Sequence, residues 1–193
     1  MSKKFNLETN NTTIDPVNIH KILQRLKKLG IDNVIIEASS HGLKQHRMDN
    51  INFKTAMFTN LSRDHLDYHK TIKDYLNSKL ILFNKLVNKK GNIIFDNIIK
   101  ETRKLEKISK KRKLKKYTFG STRSFMRITN IQKLSTQSKI DCIINGKKYS
   151  FKTSLIGKIQ IKNLMFAIIA AYLSKLKIEK ILKSIHKIKA IKV

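Results

Sequence analysis

The chain has 193 residues, 40% of them hydrophobic, which is enough for one domain to bury a proper core. Its 42 Lys and Arg against 13 Asp and Glu give a formal charge of +29, so an anionic partner such as nucleic acid must be weighed. The longest unbroken apolar stretch, Leu164–Leu173, is far short of the roughly 20 residues a membrane span needs, and the single cysteine, Cys142, excludes an internal disulfide and a cysteine-based metal cluster.

The first dozen residues are polar and carry no charged-then-apolar leader, which fits an unexported, cytoplasmic protein. Asp15-Pro16 reads as a helix start, with Asp15 as N-cap and Pro16 in the first turn, and Gly30 ends that helix near Leu29. Asn33–Ile36 and Thr55–Thr59 are short apolar runs of the kind that form buried parallel strands. Thr71–Val87 has helical periodicity, and Gly91–Phe95 reads as a third strand. The charged stretch Lys100–Lys116 reads as a solvent-exposed connector, and its run Lys110–Lys116 as a solvated basic face, since 35 of the 42 cations are Lys and AT-rich coding produces such a bias. From Tyr117 to Ser154 strands alternate with turn signals at Gly120 and Asn145-Gly146, predicting antiparallel hairpins, and a last helix is predicted over Ile161–Leu176. The predicted class is α/β: a mostly parallel sheet flanked by helices, with an antiparallel hairpin edge.

Ligands in open α/β sheets bind beyond the carboxyl ends of the strands, so polar residues that follow apolar runs are the first candidates. Two clusters qualify: Glu37-Ala38-Ser39-Ser40-His41-Gly42, and Thr59 to His69 with Arg63, Asp64, His65 and Asp67. Carboxylate, hydroxyls and imidazoles gathered there suit a divalent metal and phosphate oxygens, or equally a solvated loop tip. Lys79 lies within the apolar stripe Ile72, Tyr75/Leu76, Phe83 and Leu86. Such a lysine either snorkels to the surface or, as a neutral amine, takes up carbon dioxide to become a carbamate, an anionic oxygen ligand.

The segments Asn10-Asn11-Thr12-Thr13, Glu37 to Arg47 and Phe58 to His69, in this order and at this spacing from Lys79, resemble the central domain of the Mur ligases. The resemblance is strongest from Asn6 to Phe83, and within the family it is to the branch that adds a third amino acid to UDP-N-acetylmuramoyl-alanyl-glutamate. Ser39 to Arg47 and Leu61 to Asp64 look more like the diaminopimelate-adding than the lysine-adding enzymes. It implies that Asn11, Thr12, Thr13, Ser39, Gln45 and Arg47 contact the UDP-N-acetylmuramoyl-dipeptide. It further implies that Glu37 and His65 bind Mg2+, that Lys79 is carbamylated and positions the metal, and that Asn163 holds the adenine of ATP. Gly157-Lys158-Ile159-Gln160 departs from the family's Gly-x-Phe-Asn beside that asparagine. His41 and His69 read as structural hydrogen-bonding residues rather than acids or bases.

None of the six glycines, at 30, 42, 91, 120, 146 and 157, fits the phosphate-binding pattern Gly-x-x-x-x-Gly-Lys-Ser/Thr. In the family that loop lies upstream of the region matching Asn11, with a uridine-nucleotide-binding domain, and an amino-acid-binding domain follows the central one. The expectation is therefore a partial central domain over residues 1–193, inactive by itself: one product of a split gene that assembles with a second polypeptide, or the remnant of a decaying gene. The competing expectation is a basic nucleic-acid-binding protein on an old ligase scaffold.

Overall fold

The computed structural model describes residues 12–62 and 66–189. They form two compact units, one from the described part of Met1–Phe53 with Leu61–Val87, the other from Lys54–Asn60 with the described part of Asn88–Val193.

In the first unit, helix α1 (Pro16–Lys28) starts as its sequence dictates: the Asp15 carboxylate accepts the Asn18 amide at 3.0 Å, and Pro16 needs no amide partner in the first turn. Short helices α2 (Ser40–Lys44) and α3 (Leu66–His69) follow, then α4 (Ile72–Ile81), capped by the Thr71 hydroxyl and continued by a single π-turn over Leu82–Leu86. The predicted stripe is buried at Tyr75, Leu76, Phe83 and Leu86, but Ile72, at the start of the helix, is 36% exposed. The strand predicted at Asn33–Ile36 does not form: the segment is irregular, with Ile35 85% exposed and Val34 43%. A strand is held only by a neighbour's hydrogen-bond ladder, and no described strand pairs with these residues.

The second unit is built on a six-stranded sheet in sequence order, β1 (Phe53–Phe58), β2 (Val87–Asp96), β3 (Lys115–Phe119), β4 (Met126–Lys133), β5 (Ser138–Ile144) and β6 (Lys147–Thr153). β2 and β3 run parallel in the register Asn92↔Lys115 to Asp96↔Phe119, and β3 meets β4 in parallel at Phe119↔Met126. β4, β5 and β6 form an antiparallel meander. The turn predicted at Asn145-Gly146 joins β5 to β6 with positive φ at both residues, 47° and 80°, the geometry that matches strand twist. Tyr117, predicted in a hairpin, lies instead in parallel strand β3, so the antiparallel edge begins beyond Gly120.

Helices α6 (Lys158–Leu173) and α7 (Ile178–Ser184) complete this unit's core, in which Ile161, Phe166 and Ile169 of α6 join Ile94, Phe119, Met126, Ile140 and Phe151 of the sheet. Cys142 belongs to the same core, where burial pushes its thiol up to about 11. The connector predicted over Lys100–Lys116 is ordered as helix α5 (Thr102–Arg112) and the start of β3. Leu105 and Ser109, one turn apart and both buried, make a core-facing stripe too narrow to register among the lysines.

Four lysines, Lys70, Lys90, Lys113 and Lys175, adopt the left-handed conformation that glycine takes without penalty. Lys113 caps the C-terminus of α5 at φ 54°, ψ 38°. Replacing Lys113 with Gly is expected to stabilise the fold by about 1 kcal/mol, since the Cβ penalty removed exceeds the unfolded-state entropy added. A urea midpoint unchanged or lowered in that variant would count against left-handed strain at this cap.

Candidate functional site

The site of the first unit grows from Thr13, which is buried although it sits among polar neighbours. Its hydroxyl accepts the Ser39 amide at 3.0 Å and lies 2.8 Å from the Ser39 hydroxyl and 3.2 Å from the Glu37 carbonyl oxygen. The Ser39 hydroxyl in turn accepts the Gly42 amide at 3.1 Å and so caps α2. Arg47 donates from Nη1 to the Thr13 carbonyl at 2.8 Å. A Cβ on Gly42 would lie 2.6 to 2.9 Å from three Thr13 side-chain atoms, so only glycine lets Thr13 approach α2 this closely. Thr13 from one predicted segment and Ser39 and Arg47 from another are thus one hydrogen-bonded cluster.

Beside it lies a second network centred on His69, which is fully buried. Its Nε2 is 2.8 Å from the Ser40 hydroxyl, its Nδ1 is 3.5 Å from the Ser78 hydroxyl, and its ring stacks on Tyr75 with centroids 5.1 Å apart. Burial holds this imidazole below its ordinary range, against the opposing pull of the Asp74 carboxylate. Lys44 of α2 donates to Asp74 of α4 at 2.6 Å, and that bond holds Asp74 below the usual carboxylate range. Gln45 donates to the Tyr68 hydroxyl at 3.2 Å, and His41 packs on the Tyr68 ring at 4.1 Å. His69 thus makes the buried hydrogen bonds expected of it.

Lys79 is half-buried on α4, with Nζ 5.0 Å from the centroid of the Tyr75 ring, a cation–π distance. Glu37 and Thr12 are exposed. Asn11 and His65 lie outside the described residues. Among the described residues no three His, Cys, Asp or Glu side chains converge on a metal position.

In the second unit, a cavity of about 200 Å3 opens beyond the carboxyl ends of β2 and β3, lined by Asp96, Phe119, Gly120, Lys158, Lys162 and Met165. Asp96 is buried, accepts the Ile98 amide at 3.0 Å with Oδ1 and pairs with Lys162 at 2.9 Å through Oδ2. Asn163 is exposed on α6, and its neighbour Lys162 lines the cavity. Asp96 and Lys162 escaped the sequence reading, although the rule applied to Glu37 and Thr59 selects Asp96 as the first polar residue after the apolar run ending at Phe95.

A helix-backed sheet with a cavity at its carboxyl edge, where Asp96, Lys158 and Lys162 stand among mostly apolar side chains, is an α/β architecture whose ligands bind beyond the strand ends. Residues 1–171 match the Mur ligase middle domain, and the chain belongs to that family. Among relatives, the UDP-N-acetylmuramoyl-L-alanyl-D-glutamate–2,6-diaminopimelate ligase of Rickettsia bellii is 36% identical over 181 residues, which are 94% of this chain and 38% of that protein. A solved structure of a ligase of the same name superposes with a TM-score of 0.84 at 22% identity, over 93% of this chain and 37% of the other. MurF ligase from Thermotoga maritima, solved in complex with ADP, superposes with a TM-score of 0.60 at 11% identity, over 72% and 31%. The chain thus spans well under half the length of these relatives. No described helix is long and apolar enough to cross a membrane.

Proposed function

We propose that this chain is the central portion of an ATP-dependent ligase that joins meso-diaminopimelate to UDP-N-acetylmuramoyl-L-alanyl-D-glutamate in peptidoglycan-precursor synthesis. The observation that carries the proposal is the Thr13–Ser39–Gly42–Arg47 cluster, which gathers hydroxyls and a guanidinium at one point in a chain 36% identical to a ligase of that name. On this reading Asn11, Thr12, Thr13, Ser39, Gln45 and Arg47 receive the UDP-N-acetylmuramoyl-dipeptide. Arg47 has a fixed direction because its Nη1 is tied to Thr13, which leaves its remaining donors for a carboxylate or phosphate.

Glu37 presents an exposed carboxylate, the hard oxygen donor that Mg2+ takes, and Lys79 adds a second such donor only as its carbamate. With His65, these residues would hold the ion. Bound Mg2+ would neutralise charge developing on the phosphoryl oxygens of ATP while the substrate carboxylate becomes an acyl phosphate open to the incoming amine. The cavity beside Asp96 and Lys162, one residue from Asn163, is the place for the adenine on this reading, supported by its position at the carboxyl ends of β2 and β3. Because none of the six glycines forms a triphosphate cradle, that loop comes from other residues, in the same or a second polypeptide, and these 193 residues alone do not ligate.

The test is carbon-13 NMR of the folded chain in labelled bicarbonate with Mg2+. A lysine carbamate resonance is expected that disappears in Lys79→Ala. Its absence from a folded, Mg2+-saturated wild-type sample would remove Lys79 from the metal site.

A further inference from the structure

The charge of the chain is unevenly placed. Residues 97–193 hold 26 Lys and Arg against 4 Asp and Glu, whereas residues 1–96 hold 16 against 9. The asymmetry culminates on α5. At about 100° per residue, Arg103, Lys104, Lys107, Lys110 and Lys111 fall within roughly a third of the helix circumference and extend about 12 Å along it, and Lys100 lies in the turn just before the helix. All six are exposed, and among the described residues none of them makes an ion pair. Of the two acidic residues of the segment, Glu101 is the N-cap residue outside the helix, and Glu106 is taken by Lys116 of β3 at 2.7 Å. Random lysine enrichment would intersperse neutral positions and leave carboxylates among the cations. Here a third of the circumference is uniformly cationic, while Leu105 and Ser109 on the opposite side are buried.

We infer that the α5 stripe is a binding surface for the phosphate backbone of duplex nucleic acid, read without base specificity. Closely spaced cations along a rigid rod match a linear polyanion better than a single anion. A lipid surface fits less well, because an interfacial helix inserts an apolar face and that of α5 is committed to the protein interior. Single strands fit less well too, since the stripe has no aromatic side chain on which bases could stack. The surface is separate from the proposed ligase chemistry, so the two readings stand or fall independently.

The experiment is fluorescence anisotropy of the full chain with a labelled 20-base-pair DNA duplex of arbitrary sequence between 50 and 200 mM KCl. Six neutralised phosphates predict a slope of log affinity against log salt of about −5, a loss of about a thousand-fold over that range. The triple variant Lys104→Gln/Lys107→Gln/Lys111→Gln should reduce the slope by about 3 and weaken binding at 50 mM at least tenfold. A charge-matched control, Lys133→Gln/Lys148→Gln/Lys152→Gln, should leave both nearly unchanged. Circular dichroism of all three proteins establishes that they fold. Equal losses in the two variants would reduce the effect to bulk charge and overturn the proposal, as would no binding at 50 mM KCl. Stripe-dependent binding to phosphatidylglycerol vesicles without binding to the duplex would overturn it in favour of a membrane surface.

Discussion

Lys162→Met should cost the second unit about 3 kcal/mol, and Asp96→Asn markedly less, about 1 kcal/mol. The pair is asymmetric: the Asp96 side chain is 8% exposed and that of Lys162 is 29% exposed. Removing the ammonium strands a carboxylate that keeps, among the described residues, the Ile98 amide as its donor, whereas a lysine deprived of its partner can swing its Nζ outward along the cavity wall. An asparagine at 96 also retains an oxygen for that amide. The double variant should lie close to Asp96→Asn alone, because methionine then faces no buried charge. Urea denaturation of the four proteins completes the cycle. Equal costs for the two single variants would mean that Asp96 is solvated and that the pair contributes only what a surface ion pair does.

Gly42→Ala is expected to cost about 2 kcal/mol, an overpacking effect, and to damage the first unit selectively. The added methyl would meet side-chain atoms of Thr13 at 2.6 to 2.9 Å, and Thr13 is fixed by Ser39 and Arg47 and cannot step aside without breaking both contacts. In amide NMR spectra the changes should centre on Thr13 and Glu37–Arg47 and spare the β4–β6 meander. A variant within about 0.5 kcal/mol of wild type would show that Thr13 is loosely held.

Much of this was legible from residue order. The cap at Asp15-Pro16, the strand around Ala56, the Asn145-Gly146 turn and the stripe from Tyr75 to Leu86 are local features, and each formed where its side chains said it should. What failed was non-local. Asn33–Ile36 has the composition of a buried strand, yet a strand requires a neighbour, and no property of those four residues supplies one. α5 was masked by its own lysines because two core-facing positions suffice to dock a helix of eleven residues. In the candidate site, residue types were legible and partnerships were not. Thr13 was selected as a substrate contact, but its tie to Ser39 and Arg47 spans 26 and 34 residues of sequence. The division into two units left no mark in composition either, because the chain crosses between them at Phe53, Asn60 and Val87 within or beside ordered elements rather than through a Gly- or Ser-rich linker.

The irregular stretch from Ile31 to Ile36 has a practical consequence for anyone handling this protein. Four β-favouring aliphatic side chains, no proline and a backbone that no described strand pairs make it a template for edge-to-edge association between copies, and Ile35 is 85% exposed. The high like charge of the chain opposes that association at low ionic strength and is screened as salt rises. Colloidal stability should therefore decline with added salt, contrary to the usual expectation for a lysine-rich protein, and a single gatekeeper such as Ile35→Lys should restore it.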